Sequence, residues 1–334
     1  MSTIQVIEIG EVIALGAAFT FGASNVLFRL VEDEFTPSQV NLFRTSLGWF
    51  AFAGVLLWQG SLLGLLGLSL ELLGILILSA IFGQVLGDTI YFLAQKYIGT
   101  SIALPLGLTF PIWANFYAFV LLGDQVPPIA FIGLAFILAG VLVFAQTSRE
   151  GHAEAYLAAL DGLGSPPDKD SPDNTFLTIR GVNFSRKFLL GIGLAIIAAN
   201  CWALGGVILD PALDTVTSME ANVVRFLPSI FMLWGLSRSG IFDGREKNVE
   251  PKPVERTLRS WGILFVGGVV GTVLGAWFFV EGIGLLGAAK ASILHATSPL
   301  FATPLAVLLT KEKLTRTVLL ASLITFFGIL LVLL

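Results

Sequence analysis

Long apolar runs fill the chain, interrupted by short polar punctuation. Ten stretches of about 20 mostly apolar residues, the length that crosses a ~30 Å hydrocarbon core, lie at 10–31, 38–59, 70–95, 100–122, 127–147, 188–209, 218–237, 260–284, 287–310 and 315–334. Turn signals separate them, such as Thr36-Pro37, Gly123-Asp124 before Pro127-Pro128, and Asp210-Pro211. The apolar segment 61–68 is too short to span and reads as a connection. The first apolar run is too long for the core of a signal peptide and is expected to be a retained span.

The pattern repeats. Asn41-x-x-Arg44 recurs as Asn222-x-x-Arg225, at an offset of 181, and Gly83-x-Val-Leu-Gly87 recurs as Gly271-x-Val-Leu-Gly275, at an offset of 188. The second offset also pairs Gly99 with Gly287, Pro111 with Pro299, Asp124 with Glu312 and Gly140 with Gly328. One seven-residue gap between the second and third spans reconciles the two offsets. The expected organisation is a first repeat at 1–147, a polar linker at 148–187 and a second repeat at 188–334. Each repeat has five spans. An odd number makes two units joined in series cross the membrane in opposite directions, as an inverted pair. The fold class expected is therefore all-α and integral to the membrane, with ten transmembrane helices in two inverted five-helix repeats.

Composition agrees with the pattern. The chain of 334 residues is 55% hydrophobic and 13% charged, against about 25% charge in soluble domains, and its mean hydropathy is +0.87. The linker stands apart, with six acidic and five basic residues, and is expected to be largely irregular with a short amphipathic helix near 152–160. Sixteen Lys and Arg fall after odd-numbered spans, whereas the opposite side carries Lys290 alone. The positive-inside rule then puts both termini outside the cell. A net charge of −4, with basic residues confined mostly to loops, gives no case for nucleic acid as a partner. The single Cys201 excludes an internal disulfide. No cofactor and no metal site is expected.

The stretch 99–144, with an Ala/Gly-rich helix, Pro111, Asp124 at the next turn and the late Gly140, resembles the end of an EamA-type repeat of the drug/metabolite transporter superfamily. So does 287–333, with Pro299, Glu312 and Gly328. Arg44 and Arg225 match an Arg common early in the second helix of such repeats, while Asp124 stands where Glu is usual. The resemblance implies a ten-helix carrier with a central cavity, a small organic substrate and a multi-pass position in the plasma membrane. For many relatives it implies termini inside, opposite to the charge pattern.

Ionisable residues inside spans are costly and mark cavities or relays. Asp88 lies deep in the third span. Gln84, Asp88, Tyr91 and Gln95 share one helix face and are expected to line the cavity. There Asp88 would bind a substrate amine, carry a coupling proton, or simply brace a neighbouring helix. The second repeat has Ala276 at that position. Arg44 and Arg225, with Asn41 and Asn222, are expected near opposite faces as gates or anchors, with Glu220 a partner for Arg225. His295 is either a packed residue or a substrate or proton site. Glu281 is expected at an interface, and Trp113, Trp202, Tyr117 and Trp277 are aromatic candidates for the wall. Gly83, Gly87, Gly271 and Gly275 are expected to let helices approach closely. Pro111 and Pro299, with Pro105 and Pro304, are expected to let spans bend.

The function expected is secondary-active transport of an amino acid-like or amphipathic compound by alternating access, with the lipid bilayer and a small molecule as partners and a proton as a candidate coupling ion. A channel or a structural membrane protein is the alternative. An intramembrane enzyme is disfavoured: Val85-Leu86-Gly87-Asp88 has Val where the Gly-x-Gly-Asp of aspartyl intramembrane proteases begins, and no P-loop is present.

Overall fold

The computed structural model describes residues 3–31, 34–98, 103, 106–125, 127–140, 143, 175–179, 182–239, 256–310 and 316–333. In the first repeat these are α1 (Thr3–Arg29), α2 (Pro37–Trp58), α3 (Leu70–Ala80), a π-helical stretch Ile81–Gly87, α4 (Asp88–Ile98), α5 (Phe110–Tyr117) and α6 (Pro128–Gly140). In the second they are α7 (Arg186–Leu209), α8 (Ser218–Ser239), α9 (Leu258–Gly268), a π-helical stretch Val269–Leu274, α10 (Gly275–His295), α11 (Ser298–Thr310) and α12 (Arg316–Leu333). The helix expected at 152–160, Pro105 and Glu312 lie outside the described residues. Both repeats are helical, as expected. The linker adds one short hairpin, in which β1 (Thr175–Ile179) and β2 (Val182–Ser185) pair antiparallel.

Among the described residues, five helices are long and apolar enough to cross a membrane: Ile9–Arg29, Pro37–Trp58, Leu70–Gln95, Leu189–Asp214 and Leu258–His295, with Phe110–Leu122 and Pro128–Gly140 shorter. The eighth and ninth expected spans run together in Leu258–His295. The chain turns inside it at Gly287, whose φ of 80° and ψ of 156° suit only a residue without a side chain. The Asp210 carboxylate accepts from the Ala288 N–H at 2.7 Å and so caps the segment that follows.

Local devices recur at the same offsets as the sequence. Thr36 and Gln39 form a capping box at the start of α2. Thr217 and Glu220 make the same reciprocal bonds before α8, at 2.9 and 3.3 Å. Ser69 caps α3 and Thr257 caps α9. Both π stretches begin at matched positions of the two repeats, Ile81 and Val269. The fourth span of the first repeat and its counterpart both break at a Thr before a Pro. Thr109 Oγ1 donates to the Leu106 carbonyl at 2.6 Å and Thr297 Oγ1 to the Leu294 carbonyl at 2.7 Å. Pro111 and Pro299 therefore sit in the first turn of a new helix, where a missing N–H goes unneeded.

The repeats interlock. α1 packs along α10, α11 and the second π stretch; α7 packs along α4, α5 and the first; α2 pairs with α8. Each repeat thus supplies the first helix that covers the other's third and fourth spans. Large apolar side chains stay exposed on the outside, Phe50 at 68% and Phe231 at 67% among them, which is the surface a lipid solvent requires.

The candidate cavity between the repeats

A cavity of about 150 Å³ lies between the repeats and is lined by both. Arg44 and Thr45 come from α2; Gly83 and Gln84 from the first π stretch; Asp88 from α4; Trp202 and Gly206 from α7. Opposite them stand Phe21 of α1, Arg225 of α8, Gly271 and Thr272 of the second π stretch, and Gly275, Ala276, Phe279 and His295 of α10. Leu108 and Phe110 close the side at the first Thr-Pro break.

Glycines let the walls meet. A Cβ on Gly205 would come within 2.6 Å of the Gly83 nitrogen, and one on Gly87 within 2.8 Å of Trp202 Nε1. In the other half, Gly271 and Gly275 face Ser24 and Thr20 of α1. The glycine pairs thus perform the same packing twice, each against the other repeat's first helix. Gly205 does not belong to either Gly-x-x-x-Gly motif, and only its contact partner identifies it.

The Asn-x-x-Arg motifs reach the third spans at or just beyond the π stretches. Asn41 Nδ2 donates to the Gln84 carbonyl at 3.5 Å, and Asn222 Nδ2 to the Ala276 carbonyl at 3.4 Å. A π turn shifts the backbone register and leaves carbonyls in need of another donor. Each Asn then turns its carbonyl oxygen to its own Arg: Arg44 Nε to Asn41 at 3.0 Å, Arg225 Nη1 to Asn222 at 3.2 Å.

Beyond that point the halves diverge. Arg44 is ion-paired to Asp88 and lies 5.7 Å from the Phe92 ring centroid. The other Asp88 oxygen accepts from Trp202 Nε1 at 2.8 Å. Arg225 has no ion pair among the described residues, is 7% exposed, and leaves its Nε without an acceptor. The inverted-repeat argument sets Arg44 and Arg225 near opposite faces, yet both line one cavity, and their helices α2 and α8 pack against each other. Glu220 is not the partner of Arg225: its carboxylate is engaged by the Thr217 N–H and hydroxyl.

His295 sits in an aromatic cage, with the Phe21, Phe110 and Phe279 centroids at 4.9, 5.9 and 4.8 Å. Its Nδ1 is buried without a partner. The cage was hidden in the sequence because its members come from three separated segments. The expected polar stripe reaches the cavity only as far as Asp88. Gln84 and Asp88 face the cavity, while Tyr91 turns under Trp202, with centroids 4.8 Å apart and 2% exposure. Trp113 packs in the apolar core instead of lining the cavity, and Trp277 stacks on Phe278. Tyr117 donates to Asn200 at 3.0 Å, and Glu281 accepts from the Ser218 hydroxyl. Lys290 pairs with Glu11 at 2.6 Å, tying α10 to α1.

Interlocked repeats, an apolar exterior and a largely apolar cavity between the halves that carries Arg44, Asp88 and Arg225 define a multi-pass helical membrane protein of the two-repeat transporter kind. The chain belongs to the EamA-like transporter family, whose model matches residues 8–146 and 189–334 and leaves out the linker. EamA is a family of the drug/metabolite transporter superfamily. A crystal structure of a protein matches over 97% of this chain and 96% of that one, with a TM-score of 0.67 at 16% identity, a likeness of fold. No curated protein matches the chain.

Proposed function

We propose that the protein is a secondary-active carrier that moves a small organic metabolite, amino acid-like or amphipathic, by alternating access around the cavity between its repeats. In this reading ten spans form two inverted five-helix units, and the plasma membrane is their site. The observation that carries it is the recurrence of the same bendable devices, a π stretch and a Thr-Pro break, on both sides of one cavity. Matched joints on opposite walls allow one half to adopt the shape of the other, which is how inverted repeats exchange access. Asn41-Arg44 and Asn222-Arg225 would hold those joints, and Asp88 is the candidate for a coupling proton.

Solute counterflow in proteoliposomes tests the proposal. Purified protein should accumulate a labelled solute against its gradient when the lumen is preloaded with the same unlabelled solute. Flux that neither saturates nor responds to solute on the far side would make the protein a channel instead.

A further inference from the structure

Among the described residues, Arg44, Asp88 and Arg225 bring formal charge to the cavity wall. The first two neutralise each other, and both Asp88 oxygens are engaged, by Arg44 and Trp202. The remaining charge is the guanidinium of Arg225. It is 7% exposed, holds one bond to Asn222, and has no acceptor for its Nε. Arg225 feels the charge of Asp88 but makes no ion pair with it, so two guanidinium groups share one carboxylate and the wall keeps a net positive charge, which is costly to bury. In the first repeat the matching cation has Asp88; in the second, the equivalent residue is Ala276, which lines the same cavity. Thr272, also on the wall, is 4% exposed, and its hydroxyl has no partner.

We infer that the ligand of this cavity is a small organic anion whose acidic group pairs with Arg225. It takes the place in the second repeat that the Asp88 carboxylate takes in the first. A planar carboxylate accepts two parallel N–H bonds from a guanidinium, and the Thr272 hydroxyl supplies a further donor. The rest of the ligand is apolar and of about the size of one ring. Phe21 and Phe279 offer it an aromatic wall, and about 150 Å³ is the volume of a cavity that takes benzene in another protein. A ligand bearing only a cationic head would meet a second, uncompensated cation. The inference deepens the carrier reading and rests on it for the claim that the anion is what moves.

The test uses the purified full-length chain in detergent, with benzoate as the probe. Benzamide and benzylammonium serve as neutral and cationic counterparts, and chloride as an inorganic anion, all at matched ionic strength. Saturating benzoate should raise the unfolding temperature by about 4 °C or more, while the other three leave it unchanged. Ala276→Asp, which gives Arg225 an internal carboxylate, should abolish the benzoate shift in a folded protein. Arg225→Gln should weaken benzoate binding at least ten-fold. No shift with benzoate, an equal shift with benzamide or chloride, or a full shift retained in Ala276→Asp would overturn the inference. Counterflow with labelled benzoate keeps the two readings apart. Binding without flux would remove the carrier and leave the anion site. Flux of benzylammonium in a protein blind to benzoate would keep the carrier and remove the anion site.

Discussion

Thr109 and Thr297, at equivalent positions of the two repeats, make the same pair of hydrogen bonds. Each hydroxyl donates to the carbonyl three residues back, and each carbonyl accepts at 2.9 Å from the N–H three residues on, of Ile112 and Leu300. Each pair closes a break in a span beside the cavity. In the carrier reading these breaks are the joints of the conformational change. Thr109→Val and Thr297→Val keep the shape and remove the hydroxyl. Each should cost about 1 kcal/mol of stability and slow counterflow by a comparable factor from either side. Thermal unfolding and initial counterflow rates check this. A loss of rate in one variant alone would argue against matched joints.

Gly287 holds the turn between α10's two parts at φ 80°. Gly287→Ala should destabilise the protein by about 1–3 kcal/mol, the usual strain of a side chain in such a conformation. Gly193→Ala is the control, since a Cβ there meets nothing within 4 Å in a helix interior. It should be neutral or stabilising by up to about 1 kcal/mol. Equal unfolding temperatures for the two variants would count against the role given to Gly287.

Gly205 allows α7 to lie against the Gly83 backbone, with a would-be Cβ contact of 2.6 Å to nitrogen. Because backbone cannot swing aside as a side chain can, Gly205→Ala should force the helices apart. The expected cost is about 1–3 kcal/mol, with a loss of purified yield, whereas Gly74→Ala, in open space, should have none. Size-exclusion profiles and unfolding temperatures of the two variants decide it.

Asp88→Asn removes the counter-ion of Arg44 while keeping a group that can accept from Trp202. Breaking a buried pair from one side costs about 3–5 kcal/mol, and a smaller loss, about 1–3 kcal/mol, is expected here because both side chains keep 15–16% exposure. Arg44→Gln combined with Asp88→Asn should recover part of the loss in unfolding experiments. If Asp88 carries the coupling proton, the single variant should also lose the dependence of uptake on a pH gradient. Uptake that still follows the gradient would remove that role.

Much of this architecture is legible in the sequence, and the reason is the duplication. The two offsets pair the glycines and prolines of one repeat with those of the other, since each acts within a turn of its own helix. The contacts of Asn41 with the first π stretch and of Asn222 with the turn after the second are not legible, because each reaches across from another helix. The polar stripe fails at Tyr91 because Trp202, from the other repeat, packs on its ring. The cage around His295 and the approach of Gly205 to Gly83 arise between repeats, where spacing along the chain carries no signal. Glu220 misleads because its distance from Arg225 suits an ion pair, while the capping box at Thr217 claims it first.

The central claim is that the cavity between the repeats opens to each side of the membrane in turn. Ala276 lines it, and Cys201 is the chain's only cysteine, so Ala276→Cys in a Cys201→Ser background places one thiol at the site. Its reaction with a membrane-impermeant thiol reagent, applied to one face at a time in oriented vesicles, is the most direct measurement. The carrier reading predicts modification from both faces, slowed on both by a saturating transported solute. Modification from a single face, or from neither, would contradict it.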